Sequence, residues 1–375
     1  MPTLSYRYRI EPNRTQIALL SEMLGDFCQL YNAALEHRIR AYEKGVSIRA
    51  NEQITSLPII RRDLPHIGRW SATAEQQVMR KLDKTFQAFF GRVKRGDKAG
   101  FPRFRARDRY HAADFRVGDG MTIRKNGKLT FVGIPGEIKV RWHRDLPSKP
   151  KSCILSRNAG KWYIVFHVEV SAVERSSPDS VGLDLGLTSF VALSNGETVA
   201  RPRVTKANAR KLRRLQRALA RCKRTSKVRR KRKAAVAALQ AHIGNSRRDF
   251  LHKESRKLVN RFGRIAVEDL NIKGLARGML AKEVHDAAWG TFVSMIRYKA
   301  ESAGGEVIDV DPRGTSQTCP ECGTVAKKTL DERWHICDCG CSLDRDVAAA
   351  MVVHFRAFNC WPGTGLGSLS QRVAA

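Results

Sequence analysis

Three acidic residues stand out because each sits in or beside an apolar run. Asp184 lies inside Val181-Gly-Leu-Asp-Leu-Gly-Leu187, Glu268 ends Ile265-Ala-Val-Glu268, and Asp346 opens Asp346-Val-Ala-Ala-Ala-Met351. A carboxylate among aliphatic side chains is costly unless a cation or hydrogen bonds compensate it. The first two runs read as buried strands and the third as a helix start. Acids from two strand ends and a helix start, near one sheet edge, suit a pair of divalent ions about 4 Å apart, which activates water against a phosphodiester. All-oxygen ligands favour Mg2+. Each acid also has a plainer reading: Asp184 as a turn cap, Glu268 or Asp269 as an arginine partner, Asp346 as an N-cap beside Asp344.

The second constellation is sulfur. Five of the nine cysteines fall within 23 residues, in Cys319-Pro-Glu-Cys322-Gly and Cys337-Asp-Cys-Gly-Cys341. Such clustering points to a metal rather than a disulfide framework. Two thiolate pairs on two turns make the closed tetrahedral site of structural zinc. The second pair is C-x-C where zinc ribbons usually show C-x-x-C, so the register stays open. Cys319, Cys322, Cys337 and Cys339 are the favoured set, with Cys341 the alternative and His335 a substitute in poor register.

The elements that must position these groups are partly legible. An opening strand, Tyr6-Arg-Tyr-Arg-Ile10, stops at Pro12. Apolar residues from Ile17 to Tyr42 then recur every three or four positions, and Val78 to Val93 repeats the pattern, which predicts a helical unit over 13–96. The segment 94–110 is basic and interleaved with Phe101, Phe104 and Tyr110, which suits stacking on bases, with core packing an equal alternative for two of the three. Short strands follow, with Asn126-Gly127 marking a hairpin turn and a second hairpin around 158–161. Together with the opening strand they suggest a small barrel interrupted by the helices. Arg175–Ser180 reads as a linker. Beyond it, 181–200 reads as two strands, 264–271 and 305–310 as further strands, and 285–302 as helix. The order is α/β, with no repeat of 20–50 residues.

Charge separates the function classes. Lys and Arg number 69 against 36 Asp and Glu, a net +33. Self-repulsion makes that imbalance expensive without a polyanionic partner, and nucleic acid is the leading one. Residues 201–248 carry 19 Lys and Arg and no acid, over Leu212, Leu215, Leu219, Val236 and Leu239 at helical spacing. This predicts one or two long basic helices broken near Thr225-Ser226. No apolar run reaches the ~18–20 residues of a bilayer span. The start lacks a signal peptide's apolar region, so the expected location is cytoplasmic.

Read together, VGLDLGL, IAVEDLN, TSQTCPECG, CDCG and LDRDVAAA resemble the C-terminal part of the TnpB family, transposon-encoded RNA-guided nucleases related to type V CRISPR effectors. YRYRIEPN, LYNAALEHR, LDKTFQAFFGRVKRG, GFPRFRAR, HKESRKLV and WGTFVSMIRYKAE extend the likeness over nearly the whole chain. The resemblance implies a multi-domain α+β protein. A wedge-type β-barrel, 1–12 and 97–175, would be interrupted by a helical recognition domain, 13–96. A RuvC-like nuclease domain of RNase H-like α/β fold, 181–375, would carry a basic helical insertion, 201–260, and a zinc ribbon, 313–343. It assigns Asp184, Glu268 and Asp346 as catalytic ligands of two Mg2+ ions, the ribbon cysteines to Zn2+, and guide RNA and target double-stranded DNA with a short flanking motif as partners, in the bacterial or archaeal cytosol at the nucleoid. Arg103, Arg105, Lys206, Arg210, Arg213, Arg214, Arg217 and Arg221 are the nucleic-acid-binding candidates. One departure is Ala348, where the family commonly has Asn. It opens a competing expectation, an RNA-guided DNA-binding repressor weak or inactive in cleavage. A strand-transfer transposase is the third reading, weakened because no helix-turn-helix stands out.

Overall fold

The computed structural model describes residues 3–171, 177–275, 277–278, 281–329 and 332–359. The linker expected at 175–180 lies partly outside them, and the Gly- and Ser-rich tail 361–375 wholly so. Two compact units divide the chain, Thr3–Val170 and Ser171–Ala375.

In the first unit, β1 (Thr3–Glu11) is followed by α1 (Arg14–Glu43), α2 (Ala50–Thr55), α3 (Leu57–Asp63), α4 (Pro65–Gly68) and α5 (Ala72–Lys94). Strands β2 (Ala112–Val117), β3 (Gly120–Ile123), β4 (Leu129–Phe131), β5 (Ile134–Arg141), β6 (Ser152–Asn158) and β7 (Lys161–Glu169) complete it. They close a barrel in the order β1-β5-β4-β3-β2-β6-β7, so the opening strand pairs with residues more than 125 positions away, such as Ile10 with Val140. Alternation fixes the register: Trp162, Ile164, Phe166 and Val168 of β7 point inward with Tyr8 and Ile10 of β1. A hairpin turn forms at Asn126-Gly127, but not in the type I′ geometry that this dipeptide suggests, because Asn126 does not take a positive φ. Gly127 has φ +75°, and the Asn126 side chain accepts from the Lys128 N–H at 3.0 Å. The long helix starts at a capping box, in which Asn13 accepts from the Gln16 N–H and Gln16 returns the bond.

In the second unit, β8 (Ser180–Asp184), β9 (Ser189–Leu193) and β10 (Thr198–Ala200) form an antiparallel meander. Three strands stand where two are expected over 181–200, because Asn195-Gly196 adds a turn. Helices α6 (Val204–Ala220) and α7 (Lys227–Arg261) break at Ser226, which caps α7. Then come β11 (Arg264–Glu268), α8 (Ile272–Leu275), α9 (Ala281–Ala287), α10 (Trp289–Ser302), β12 (Glu306–Val310), the hairpin β13 (Trp334–Ile336) and β14 (Ser342–Asp344), and α11 (Arg345–Phe358). The helix expected over 285–302 is divided at Ala288, whose φ is +57°.

The sheet order is β10-β9-β8-β11-β12, with β11 parallel to both β8 and β12. One face packs on α7 and α10 through Leu258, Val259, Phe292 and Ile296. The other packs on α11, where Val353 meets Ala266 and Val310. Gly182 permits that second contact: a Cβ there would lie 2.3 Å from the Ala350 carbonyl oxygen.

Candidate active site and metal centre

The strand register sets the first two acids side by side. Leu183 pairs with Val267 across the parallel β8–β11 ladder, so Asp184 and Glu268 end adjacent strands at the same sheet edge. Each carboxyl acts directly on the other's titration. Asp346 reaches the same edge from the first turn of α11. Asp344, not Asp346, is the N-cap, accepting from the N–H groups of Asp346 and Val347 at 2.9 and 3.2 Å. The turn after β8 runs against Asp346: a Cβ at Gly186 would sit 3.5 Å from its Oδ2. Asp269, the neighbour of Glu268, is exposed.

Electrostatics mark these acids as a frustrated group. Burial, then the negative charges of Glu268 and Asp346, raise the Asp184 carboxyl well above its ordinary range, against the field of Arg345. Glu268 is also raised by burial, opposed by a hydrogen bond from Thr315 and by the Arg356 guanidinium. Asp346 is raised by burial and by Asp344. Both carboxyls therefore hold their protons more tightly than a solvated acid does, and a cation would relieve the strain. Thr315, the first residue of the TSQTCPECG segment, joins the group without having been assigned a role from the sequence: its hydroxyl donates to Glu268 Oε1 at 2.5 Å, and it is only 4% exposed. Ala348 is buried in α11.

The cysteines converge separately. Sγ of Cys319 lies 3.6 Å from that of Cys339, and Sγ of Cys322 lies 3.5 Å from that of Cys337. The four sulfurs all lie within 4.8 Å of one another. A tight turn brings the C-x-C pair in despite its short spacing. Gly340, at φ +94°, donates to the Cys337 carbonyl, and the Cys337 N–H bonds the Cys341 carbonyl. The donor set fits a soft divalent ion such as zinc, and the three acids fit a hard one such as magnesium.

Of the basic candidates, Lys206, Arg210, Arg213, Arg214, Arg217 and Arg221 are exposed along or just after α6, a helix with no fully buried residue. Arg103 and Arg105 are exposed, although Asn32 pins the Arg105 backbone through two hydrogen bonds of 2.8 and 2.9 Å. Phe101 and Phe104 are half exposed, whereas Tyr110 is core and unavailable for stacking. Among the described residues no helix is long and apolar enough to cross a membrane.

Comparison with known proteins places this architecture among DNA-acting mobile-element proteins. A family model described as "Probable transposase" matches residues 163–279, and one described as "Cas12f1-like, TNB domain" matches 289–353. The chain is 33% identical over 357 residues to a Streptomyces pristinaespiralis protein named "Putative RNA-guided DNA endonuclease", covering 92% of this chain and 87% of that one. It is 30% identical over 271 residues to InsQ of Escherichia coli (strain K12), which has the same designation, covering 68% and 66%. A solved structure, the mini-RNA-guided endonuclease CRISPR-Cas_phi3, aligns over 94% of this chain and 91% of that one, at 10% identity and a TM-score of 0.46. The chain belongs to the TnpB family.

One expectation needs correction. A model described as "Helix-turn-helix domain" matches residues 1–46, so the sequence does carry that likeness. Its described residues nonetheless form a strand and one uninterrupted 30-residue helix.

Proposed function

We propose that the chain is a transposon-encoded RNA-guided DNA endonuclease that cuts target DNA at Asp184, Glu268 and Asp346. The observation that carries this reading is the convergence of three buried or half-buried acids at one sheet edge, two of which raise the third by their charge, within a chain of net charge +33. The five-stranded order, a three-strand meander continued by two parallel strands, supports a RuvC-like domain of RNase H type, with 313–343 as its zinc ribbon. The barrel of 1–12 and 97–175 serves as the wedge and 13–96 as the recognition helices.

Asp184, Glu268 and Asp346 are the residues to hold two Mg2+ ions, which when bound would activate water and neutralise charge at the scissile phosphate. Thr315 fixes the Glu268 carboxylate and keeps one oxygen oriented. Asp344 holds the first turn of α11, and with it the backbone of Asp346. Cys319, Cys322, Cys337 and Cys339 hold Zn2+, tying the loop before β13 to the turn between β13 and β14. The exposed cations of α6 and Arg103 and Arg105 bind phosphates, while base pairing with guide RNA supplies target sequence and the protein reads a short flanking DNA motif.

Sequencing the RNA that co-purifies with the protein, then assaying metal-dependent cleavage of a matched plasmid, tests the proposal. A discrete RNA and cleavage lost in Asp184→Ala, with RNA binding retained, is expected. Undiminished cleavage by that variant removes the acid site from the mechanism. RNA-guided binding without cleavage by the wild type would instead favour the repressor reading, which Ala348 supports. The strand-transfer reading draws on the "Probable transposase" description, and joined rather than cut products would establish it.

A further inference from the structure

The four-cysteine set leaves out two residues that are more deeply buried than most of its own members. Cys341 is 2% exposed and His335 is 1% exposed, whereas Cys339 is exposed. Strand alternation aims His335 inward: its neighbours Trp334 and Ile336 are 55% and 71% exposed. The ligand atoms of Cys319, His335 and Cys341 all lie within 4.8 Å of one another, and Cys319 belongs to both groups. Imidazole and thiol buried this deeply should find partners. Yet His335 Nε2 has none, and the other ring nitrogen meets only the Lys328 ammonium.

We infer that this chain carries a second metal position, formed by Cys319, His335 and Cys341, which takes a soft d10 ion and shares the Cys319 thiolate with the first. Two thiolates and an imidazole select zinc, cadmium or copper(I) over the hard ions that suit the carboxylates. Sulfur–sulfur and sulfur–nitrogen separations within 4.8 Å accommodate bonds of about 2.0–2.3 Å to one central ion. The Cys319 sulfur has lone pairs enough to bridge. Binding at the second position releases the Cys341 thiol proton to solvent and forms one bond each from Cys319, Cys341 and a ring nitrogen. The Lys328 ammonium gives up its place at the ring. Unlike the closed four-sulfur site, three protein ligands leave a fourth coordination position open. The C-D-C-G-C spacing makes this arrangement available. The tight turn at Gly340 sends Cys339 to the first ion and leaves Cys341, the residue before β14, bonded through its carbonyl to Cys337 and on the His335 side.

The test counts metal in the full-length, untagged protein after exposure to excess Zn2+ and passage over a weak chelating resin. Two equivalents per chain are expected in the wild type, and one in Cys341→Ser and in His335→Gln. Substitution with 113Cd should give two NMR resonances, one from a four-sulfur site and one from a mixed sulfur and nitrogen site, and the second should vanish in both variants. A single equivalent with one four-sulfur resonance in the wild type overturns the second position but leaves the first intact. Protein that holds no metal overturns both. Two equivalents that persist in both variants also overturn the assignment. If a variant fails to fold, as judged by far-ultraviolet circular dichroism, the wild-type count and cadmium spectrum still decide.

Discussion

Replacing Thr315 by Val isolates what one hydroxyl does for the acid site. Thr315 is 4% exposed and donates to Glu268 Oε1 at 2.5 Å, opposing the burial that raises the Glu268 carboxyl. Hydrogen bonds to charged groups contribute about 1.5–3 kcal/mol, and at 1.36 kcal/mol per unit that is about one to two pKa units. Val keeps the shape and removes the donor, so the Glu268 pKa rises further. Cleavage needs the carboxylate ionised, so activity falls as pH drops through that pKa. Single-turnover cleavage of a guide-matched plasmid at fixed Mg2+, scanned between about pH 6 and about pH 9, reads the shift directly. The acid limb should move up by about one to two units, with a rate near neutrality down about 10–100-fold, recovering at the alkaline end. Thr315→Ser, which keeps the hydroxyl, should restore the wild-type limb. An unmoved limb with a rate within about twofold of wild type would refute the assignment of Glu268 as a metal ligand oriented by Thr315.

Other outcomes follow from the same geometry. In metal-free protein the raised Asp184 and Glu268 carboxyls favour folding below the ordinary carboxylate pKa of about 4, and that stability is lost as pH rises through their folded values. The unfolding midpoint should therefore fall as pH rises above the ordinary carboxylate range, and Asp184→Asn should flatten the fall while abolishing cleavage, checked by calorimetry with and without Mg2+. Gly182→Ala forces a Cβ to within 2.3 Å of the Ala350 carbonyl, so it should cost about 1–3 kcal/mol or more in denaturant titration. Replacing Arg213, Arg214 and Arg217 together by Ala should weaken nucleic-acid binding and reduce the salt slope by about 0.7–0.9 for each phosphate contact removed, read by fluorescence anisotropy at several salt concentrations.

The acids and cysteines were legible because each violates its local context: a charge in an apolar strand, or thiols clustered around glycines. The long helices and hairpins were legible from periodicity and from Asn-Gly turn chemistry. Tertiary consequences were not. Thr315 opens the TSQTCPECG segment, yet that segment reads as a zinc motif and does not assign Thr315 a role, which depends on a loop folding back 47 positions to Glu268. Gly182 looks like a flexible residue in a strand, and only the approach of α11 gives it a steric reason. Tyr110 looked like a stacking aromatic among basic residues, yet it packs beside Tyr31, at a ring distance of 6.3 Å, in the core. The C-x-C spacing left the ligand register open because one residue of spacing is decided by a turn, and a turn depends on the backbone angles at Gly340.

In a chain this basic, the plain expectation for a buried acid is an arginine salt bridge. The cations near the site are instead directed partly elsewhere. Arg356 acts on Glu268 through its field, while its Nη1 donates to the carbonyls of Asp311 and Arg313 at 2.9 and 2.8 Å. Arg345 acts on Asp184 through its field, with Nη1 donating to the Thr329 carbonyl at 3.0 Å. Backbone carbonyls hold these guanidinium groups close enough to temper the negative field without closing it off. A monodentate ion pair would satisfy the acids and leave nothing for a metal to gain. Acids left with raised carboxyls gain most from an ion that brings two charges and accepts several oxygens. The same +33 that draws in phosphate backbones is thus kept from quenching the one place where negative charge is needed.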